Sequence, residues 1–247
     1  MFKKLSLAIA AQFVVLGIAA LLVQPYLMTP ARMDERLSEW VKNHPEEVYD
    51  AINTYVVAKN SPKPEDLKQQ AASLTAMTPT TLGAPLDRAA VVIVEFFDFN
   101  CVHCRKMEPQ VQAILEKHSN VALVVRDFPI LGDSSITAAK IARAAANQGR
   151  YAGMRDALLF PPPEGFDEPA LKALCEKLGV DFAKLKSDIA APQIAQSIDA
   201  DLALGKSLNV AGTPFFYLWS PAKRTGIAVS GEFTEADMSQ KLASLLE

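Results

Sequence analysis

Val91-Val92-Ile93-Val94-Glu95-Phe96-Phe97-Asp98-Phe99-Asn100-Cys101-Val102-His103-Cys104 joins a continuous apolar run to two cysteines three residues apart. The run from Val91 to Phe97, with a single acid inside it, is too uniformly apolar for a half-exposed strand and reads as a central strand buried on both faces. A helix should follow from Cys101 or Val102 to about His118, with Pro109 bending it. The N-terminus of such a helix offers unsatisfied backbone N–H groups and a partial positive charge, and both stabilise a thiolate on Cys101. Cys104 lies one helical turn further on, placed to attack a mixed disulfide on Cys101 and release its partner. His103 stands between them, and a protonated imidazole there would favour the thiolate further. The expected result is a Cys101 that is mostly ionised at neutral pH and a disulfide that is readily reduced, hence oxidising.

Glu95 is the second informative residue, because a carboxylate in a buried strand is costly unless it is paired or protonated. It precedes Cys101 by six residues. That is close enough for a site beneath the helix, where it would accept or relay the proton of Cys104. The plainer alternative is an acid at a strand edge paired with a surface cation. Metal binding competes for the same cysteines. Zinc would need two more ligands, and the other His and Cys residues, His44, His118 and Cys175 with His103, lack the spacing for it. A soft ion such as Cu(I) could be held by the two thiolates alone, or shared between subunits. No cofactor and no resident metal are expected. Cys175, at helical spacing with Leu171, Leu174 and Leu178, reads as a small packed hydrophobe, and His44 and His118 as structural residues.

Working outward, Val121 to Val125 is a second buried strand, and strand, helix, strand in that order suggests a right-handed crossover. From Ser134 to about Leu208 the pattern is helical, with breaks at Gly149, Pro161-Pro162-Pro163 and Gly179. Phe215–Trp219 and Ile227–Val229 read as a strand hairpin, and Thr234 with Asp237 as the capping box of a last helix. The fold class is therefore α/β, a small sheet interrupted by a helical insertion over about 134–208, in a main domain spanning 82–247. Upstream, Met33, Leu37, Trp40 and Val41, then Val48, Ile52, Tyr55 and Val56, repeat one amphipathic spacing on either side of Asn43-His44-Pro45-Glu46-Glu47. These two short helices, within 29–60, cannot bury their own apolar stripes and must pack on the main domain or on copies of themselves. Residues 61–81 read as a linker. It contains the stiff Ser61-Pro62-Lys63-Pro64, a polar helix from Glu65 to Ala76 and the turn-rich Thr78-Pro79-Thr80-Thr81. Lys3 and Lys4 precede an apolar stretch, Leu7 to Val23. Residues 1–28 are thus a secretory signal peptide or an uncleaved anchor, and either one exports the chain beyond Met28.

The whole chain has 247 residues, 50% of them hydrophobic and 21% charged, a net charge of −3 and three cysteines. Such a composition argues against disorder. Three cysteines are too few for a disulfide-stapled scaffold, and no run of basic residues offers a nucleic-acid footprint.

Taken with Phe128-Pro129-Ile130-Leu131-Gly132 and Gly212-Thr213-Pro214-Phe215, the stretch from Glu95 to Cys104 resembles the DsbA-like branch of the thioredoxin superfamily, over about Leu82 to Glu247. The resemblance implies a thioredoxin fold with an inserted helical domain. It also implies that Thr213-Pro214 forms a cis-proline loop facing the cysteines, where backbone beside Thr213 pairs with an extended substrate chain. The segment Leu37 to Ile52 is similar to the N-terminal region of exported ScsC-type proteins, whose N-terminal helices mediate oligomerisation. A threonine before the cis-proline resembles the disulfide isomerases, a histidine before the second cysteine resembles the oxidases, and Val102 matches neither. The candidate catalytic set is Cys101, Cys104, His103, Glu95, Thr213 and Pro214. The function implied is thiol:disulfide interchange in the periplasm, isomerising or forming disulfides, with the chain held at the inner membrane if its N-terminal segment is retained. The expected partners are unfolded or misoxidised exported proteins, a membrane redox protein that reduces or reoxidises the cysteines, and further copies of the chain in a dimer or trimer. The alternatives are a monomeric DsbA-like oxidase and a Cu(I)-binding copper-tolerance protein.

Overall fold

The structure is a computed structural model that describes residues 29–60, 64–76, 78, 80–161 and 167–247. The N-terminal apolar segment, expected to direct export or anchoring, lies outside the described residues. Among the described residues no helix is long and apolar enough to cross a membrane. The chain divides into two units, Met1–Tyr55 and Val56–Glu247.

In the first unit, helix α1 (Pro30–Asn43) starts where Thr29 accepts the Arg32 N–H and Pro30 supplies a pre-set φ. It ends at His44, whose N–H donates to Trp40 O and whose ring stacks on Trp40 with centroids 4.7 Å apart. Helix α2 (Pro45–Asn60) restarts at once with Glu46 and Glu47 in its first turn, where the helix dipole favours acids. Met33, Leu37, Trp40 and Val41 on α1, and Tyr49, Ile52 and Tyr55 on α2, are all exposed.

The second unit is built on a five-stranded sheet of β1 (Thr81–Gly83), β2 (Val91–Phe97), β3 (Val121–Asp127), β4 (Phe215–Ser220) and β5 (Thr225–Ser230), in the order β1-β3-β2-β4-β5. Only β2 and β3 run parallel, joined by helix α5 (Val102–Lys117). Every residue of β2 is buried, as its uniform apolarity requires. Alternate residues serve opposite faces. Val91, Ile93 and Phe97 pack with Val111 and Ile114 of α5 and with Met238, Leu242 and Leu245 of the last helix, α11 (Glu235–Leu246). The Thr234–Asp237 capping box opens α11 as its spacing predicts.

Val92, Val94 and Phe96 pack on the other face, and here the structure departs from the sequence reading. In place of a linker with one polar helix, residues 61–81 contain two short helices, α3 (Pro64–Gln69) and α4 (Ala71–Leu74), and bury Leu67, Ala71 and Leu74 against that face. These three positions fall at i, i+4 and i+7, an apolar stripe too sparse to stand out among lysines and glutamines. Strand β1 begins where a turn is expected; it pairs with β3 through Gly83, where a Cβ would meet Val121 O at 2.6 Å.

Between β3 and β4 the insertion runs through α6 (Asp133–Ala146), α7 (Tyr151–Leu159), α8 (Glu168–Leu178), α9 (Phe182–Ala190) and α10 (Pro192–Ser207). Cys175 is fully buried on α8 among the core residues, and burial raises its thiol above the usual value. A buried ionic knot anchors the insertion to the sheet: Arg143 of α6 pairs with Asp127 and Asp201, and Arg126 pairs with Asp201 at 3.1 Å. Arg126 also donates to Ser73 O at 2.6 Å, Leu74 O at 2.9 Å and Ala76 O at 3.0 Å, which fastens the end of α4. These partners let β3 run two residues beyond the apolar stretch that marks it in the sequence.

Candidate active site

The turn between β2 and α5 is shaped by Asp98. Its Oδ1 accepts the Asn100 N–H at 2.8 Å, and its Oδ2 accepts those of Ile130 and Leu131 at 2.8 and 3.0 Å. This buried carboxylate locks the approach to Cys101 onto the loop after β3 and explains why the Phe128–Gly132 stretch accompanies the cysteines. Asp98 is absent from the candidate residues read from the sequence, although an acid immediately after a buried strand is a signal for turn hydrogen bonding.

Cys101 is the N-cap of α5, and its Sγ accepts the Cys104 N–H at 3.2 Å. Its thiol also reaches Thr213 O at 3.2 Å, across a cis Thr213–Pro214 bond. The loop read from Gly212-Thr213-Pro214 thus lies against the first cysteine. Cys101 is 4% exposed and Cys104 fully buried, whereas Val102 between them is 67% exposed. The Cys101 thiol is lowered to about 6, first by the hydrogen bond from the Cys104 thiol and, against the opposing effect of burial, by Thr213 and the backbone N–H groups of Cys104 and His103. The Cys104 thiol moves far the other way, because of burial, its bond to Cys101 and the negative charges of Cys101 and Glu95. One cysteine is therefore ionised at the start of the helix, while the other is protonated and enclosed.

His103 turns its ring toward Glu232. Its Nδ1 lies 2.8 Å from Glu232 Oε1, and the other Glu232 oxygen pairs with Lys106 at 2.5 Å. Burial would raise the Glu232 carboxyl, but the bonds from Lys106 and His103 outweigh it and hold the carboxyl below its usual range. His103 supports the thiolate through its backbone N–H.

Glu95 is fully buried beneath α5, and the cation beside it is the buried Arg155 of α7 rather than a surface residue. Arg155 Nη2 donates to Glu95 Oε2 at 2.9 Å and to Glu108 Oε2 at 2.5 Å. Burial raises the Glu95 carboxyl to about 7, partly offset by Arg155 and reinforced by Glu108. Glu108 had a local signal, since it follows Cys104 by four residues and so shares its helix face. Arg155 had none, because it reaches this place only through the fold of the insertion. Among the described residues no three His, Cys, Asp or Glu side chains stand where they could share a metal ion.

A family model described as Thioredoxin matches residues 75–219. The chain belongs to the thioredoxin family. Within that family it is similar to a thioredoxin-like oxidoreductase from Silicibacter pomeroyi DSS-3, with 31% identity over 70% of this chain and 95% of that one and a TM-score of 0.61. Two further structures share the fold at lower identity. The thiol-disulfide exchange protein α-DsbA2 of Wolbachia pipientis has 23% identity over 79% of this chain and 98% of that one, with a TM-score of 0.64. Proteus mirabilis ScsC in a transitional conformation has 18% identity over 90% of this chain and 98% of that one, with a TM-score of 0.61. In fold these match the DsbA-like and ScsC-type resemblance read from the motifs. The Na(+)/H(+) antiporter NhaA 3 of Salinispora tropica is 34% identical over 137 residues, 53% of this thioredoxin-family chain. The chain spans about a fifth of the length of the curated relatives it matches.

Proposed function

We propose that this chain is a periplasmic thiol:disulfide interchange protein that isomerises, and also forms, disulfides in exported proteins through Cys101 and Cys104. The observation that carries the reading is the asymmetry of the two thiols, one ionised at a helix N-terminus beside the cis-proline loop, the other buried and protonated one turn behind it.

In this mechanism the Cys101 thiolate attacks one sulfur of a substrate disulfide; the Cys101–substrate bond forms, the substrate S–S bond breaks, and the second substrate sulfur leaves as a thiolate. Another substrate thiol can then displace Cys101, which completes an isomerisation with no net redox change. Alternatively Cys104 gives its proton to Glu95 and attacks Cys101. The mixed disulfide is cleaved, the substrate leaves reduced, and the protein is left oxidised. Run in reverse, the protein's own disulfide oxidises a substrate dithiol, and the proton held by Glu95 goes to the departing Cys104. Thr213 and Pro214 place backbone beside Cys101 for an extended substrate chain. A membrane redox partner resets the cysteines.

In the same reading residues 1–28 direct export or anchor the chain, and residues 29–60 assemble it as a dimer or trimer. The exposed apolar residues Met33, Leu37, Trp40, Tyr49, Ile52 and Tyr55 support that assembly. Several active sites around one cleft favour isomerisation over simple oxidation. Light scattering and refolding of scrambled ribonuclease, on the exported chain with and without residues 30–60, test this together. An oligomer with isomerase activity that becomes a monomeric oxidase on truncation is expected. A monomeric full chain without recovery of ribonuclease activity overturns the isomerase reading.

A further inference from the structure

Arg155 belongs to the helical insertion, yet it serves two acids outside it. Glu95 comes from the central strand and Glu108 from α5, and one guanidinium nitrogen bonds both. The guanidinium also lies 4.4 Å from the centre of the Phe97 ring. Arg155 and Glu95 are fully buried and Glu108 is 3% exposed, so their charges lie away from bulk solvent. The end of α7 is tied to α5 a second time, by Arg105 Nε donating to Leu159 O at 2.6 Å.

Two carboxylates around one cation leave one negative charge in excess. A buried, uncompensated charge is costly, and like charges sharing a site do not both ionise. The triad is therefore neutral when Glu95 holds a proton, below about pH 7, and one proton short when Glu95 is ionised above it. Of the Glu95 oxygens, Oε2 is engaged by Arg155, while Oε1 is buried with no hydrogen-bond partner.

We infer that Arg155 is a positioning residue for thiol exchange: by binding Glu95 Oε2 and Glu108 Oε2 together, it leaves Glu95 Oε1 open to Cys104 and keeps a single exchangeable proton in the carboxylate pair. This rests on the reading of Glu95 as the acid–base partner of Cys104. When Cys104 resolves a mixed disulfide, its proton passes to Glu95 Oε1, its sulfur bonds Cys101, and the substrate leaves as a thiolate. Arg155 remains bound to Glu95 Oε2 throughout and stabilises the carboxylate before the transfer. The groups that act on Glu95 are Cys101, Cys104 and Glu108 from α5, and Arg155 and Tyr151 from α7. Asp127 of β3, held by Arg143 of α6, acts on Arg155 and Tyr151, and Asp156 acts on Glu108 and Arg155.

The two acids and the cation make opposite predictions. Removing the cation leaves Glu95 protonated to higher pH, whereas removing the neighbouring acid lets it ionise earlier. The full chain, reduced and mixed with oxidised glutathione, is acid-quenched at intervals between about pH 5 and 9, and the closure rate of the Cys101–glutathione mixed disulfide is followed by mass spectrometry. We expect the wild-type rate to rise through a midpoint near 7, the value of Glu95. Arg155→Met should move that midpoint up by about one unit or more, Arg155→Lys should move it less, and Glu108→Gln should move it down. A simple packing role would slow closure at every pH without moving the midpoint. If Glu95→Gln abolishes the pH dependence but the Arg155 and Glu108 variants leave the midpoint in place or shift it the same way, the inference about Arg155 is overturned and Glu95 stands. If Glu95→Gln keeps the wild-type profile, the underlying reading of Glu95 is wrong. Should Arg155→Met fail to fold, Arg155→Lys and Glu108→Gln carry the same test, and a Glu108→Gln midpoint that does not fall overturns it.

Discussion

Cys101 owes its ionisation to its neighbours, and the size of that debt can be read as a reaction rate. Its thiol is lowered from 9.0 to about 6. At pH 5 a thiol at 6 is about one-tenth ionised and a thiol at 9 about one part in ten thousand, a ratio of roughly 1000. The lowered basicity takes back about 20-fold in nucleophilicity, from a Brønsted coefficient near 0.4–0.5 over about three units. Iodoacetamide should therefore alkylate Cys101 roughly 50-fold faster than a free cysteine at pH 5, with that advantage gone by about pH 8. Cys104 and Cys175 are fully buried, and both thiols are raised, so mass spectrometry should find the early adduct on Cys101 alone. The perturbation is Cys104→Ala, which removes the hydrogen bond that lowers Cys101 most. The alkylation midpoint should then rise by about one unit or more. In the wild type, the lowering of Cys101 from 9.0 to about 6 stabilises the reduced form by about 1.4 kcal/mol at pH 7, which makes the disulfide about 30 mV more oxidising than one with an ordinary thiol. A wild-type midpoint near 9, or one that Cys104→Ala leaves unmoved, would refute the reasoning.

Stability should vary with pH through Glu95 in a defined direction. Its folded value is raised from 4.5 to about 7, so the unfolded chain loses this proton first. The contribution is complete below about 4.5 and declines as pH rises to about 7, by about 3 kcal/mol; urea titrations of the reduced protein should show that decline flattened in Glu95→Gln. Asp201→Asn leaves Arg126 and Arg143 short of a buried partner and should cost about 3–5 kcal/mol, measured as a fall in the urea midpoint with unchanged slope. Leu74→Ala opens a cavity between α4 and the sheet and should cost about 2–5 kcal/mol; a loss under about 0.5 kcal/mol would show that α4 is not part of the core.

The parts of the fold legible in the sequence are those with local causes. Val91–Phe97 is apolar at every position but one because both faces are covered, Thr234 and Asp237 cap each other within one turn, and the cysteine pair needs only a strand before it and a helix after it. Parts that depend on distant partners are hidden. Arg126 and Asp127 look like the end of a strand until Asp201 and Arg143 arrive from the insertion. Leu67, Ala71 and Leu74 are a sparse stripe until a sheet face needs covering. At the site, Glu95 announces itself by being an acid in an apolar run, but its cation lies 60 residues away in the chain. His103 stands between the cysteines in the sequence, yet Glu232, to which its ring turns, lies 129 residues away.

In the proposed exchange Cys101 attacks and Cys104 resolves. Its most direct test is to mix the Cys104→Ala and Cys101→Ala variants, each reduced, with a disulfide-bonded exported protein and to map the adducts by non-reducing electrophoresis and mass spectrometry. A persistent mixed disulfide on Cys101 is expected in Cys104→Ala, and none in Cys101→Ala. An adduct that forms without Cys101, on Cys104 or Cys175, would contradict it.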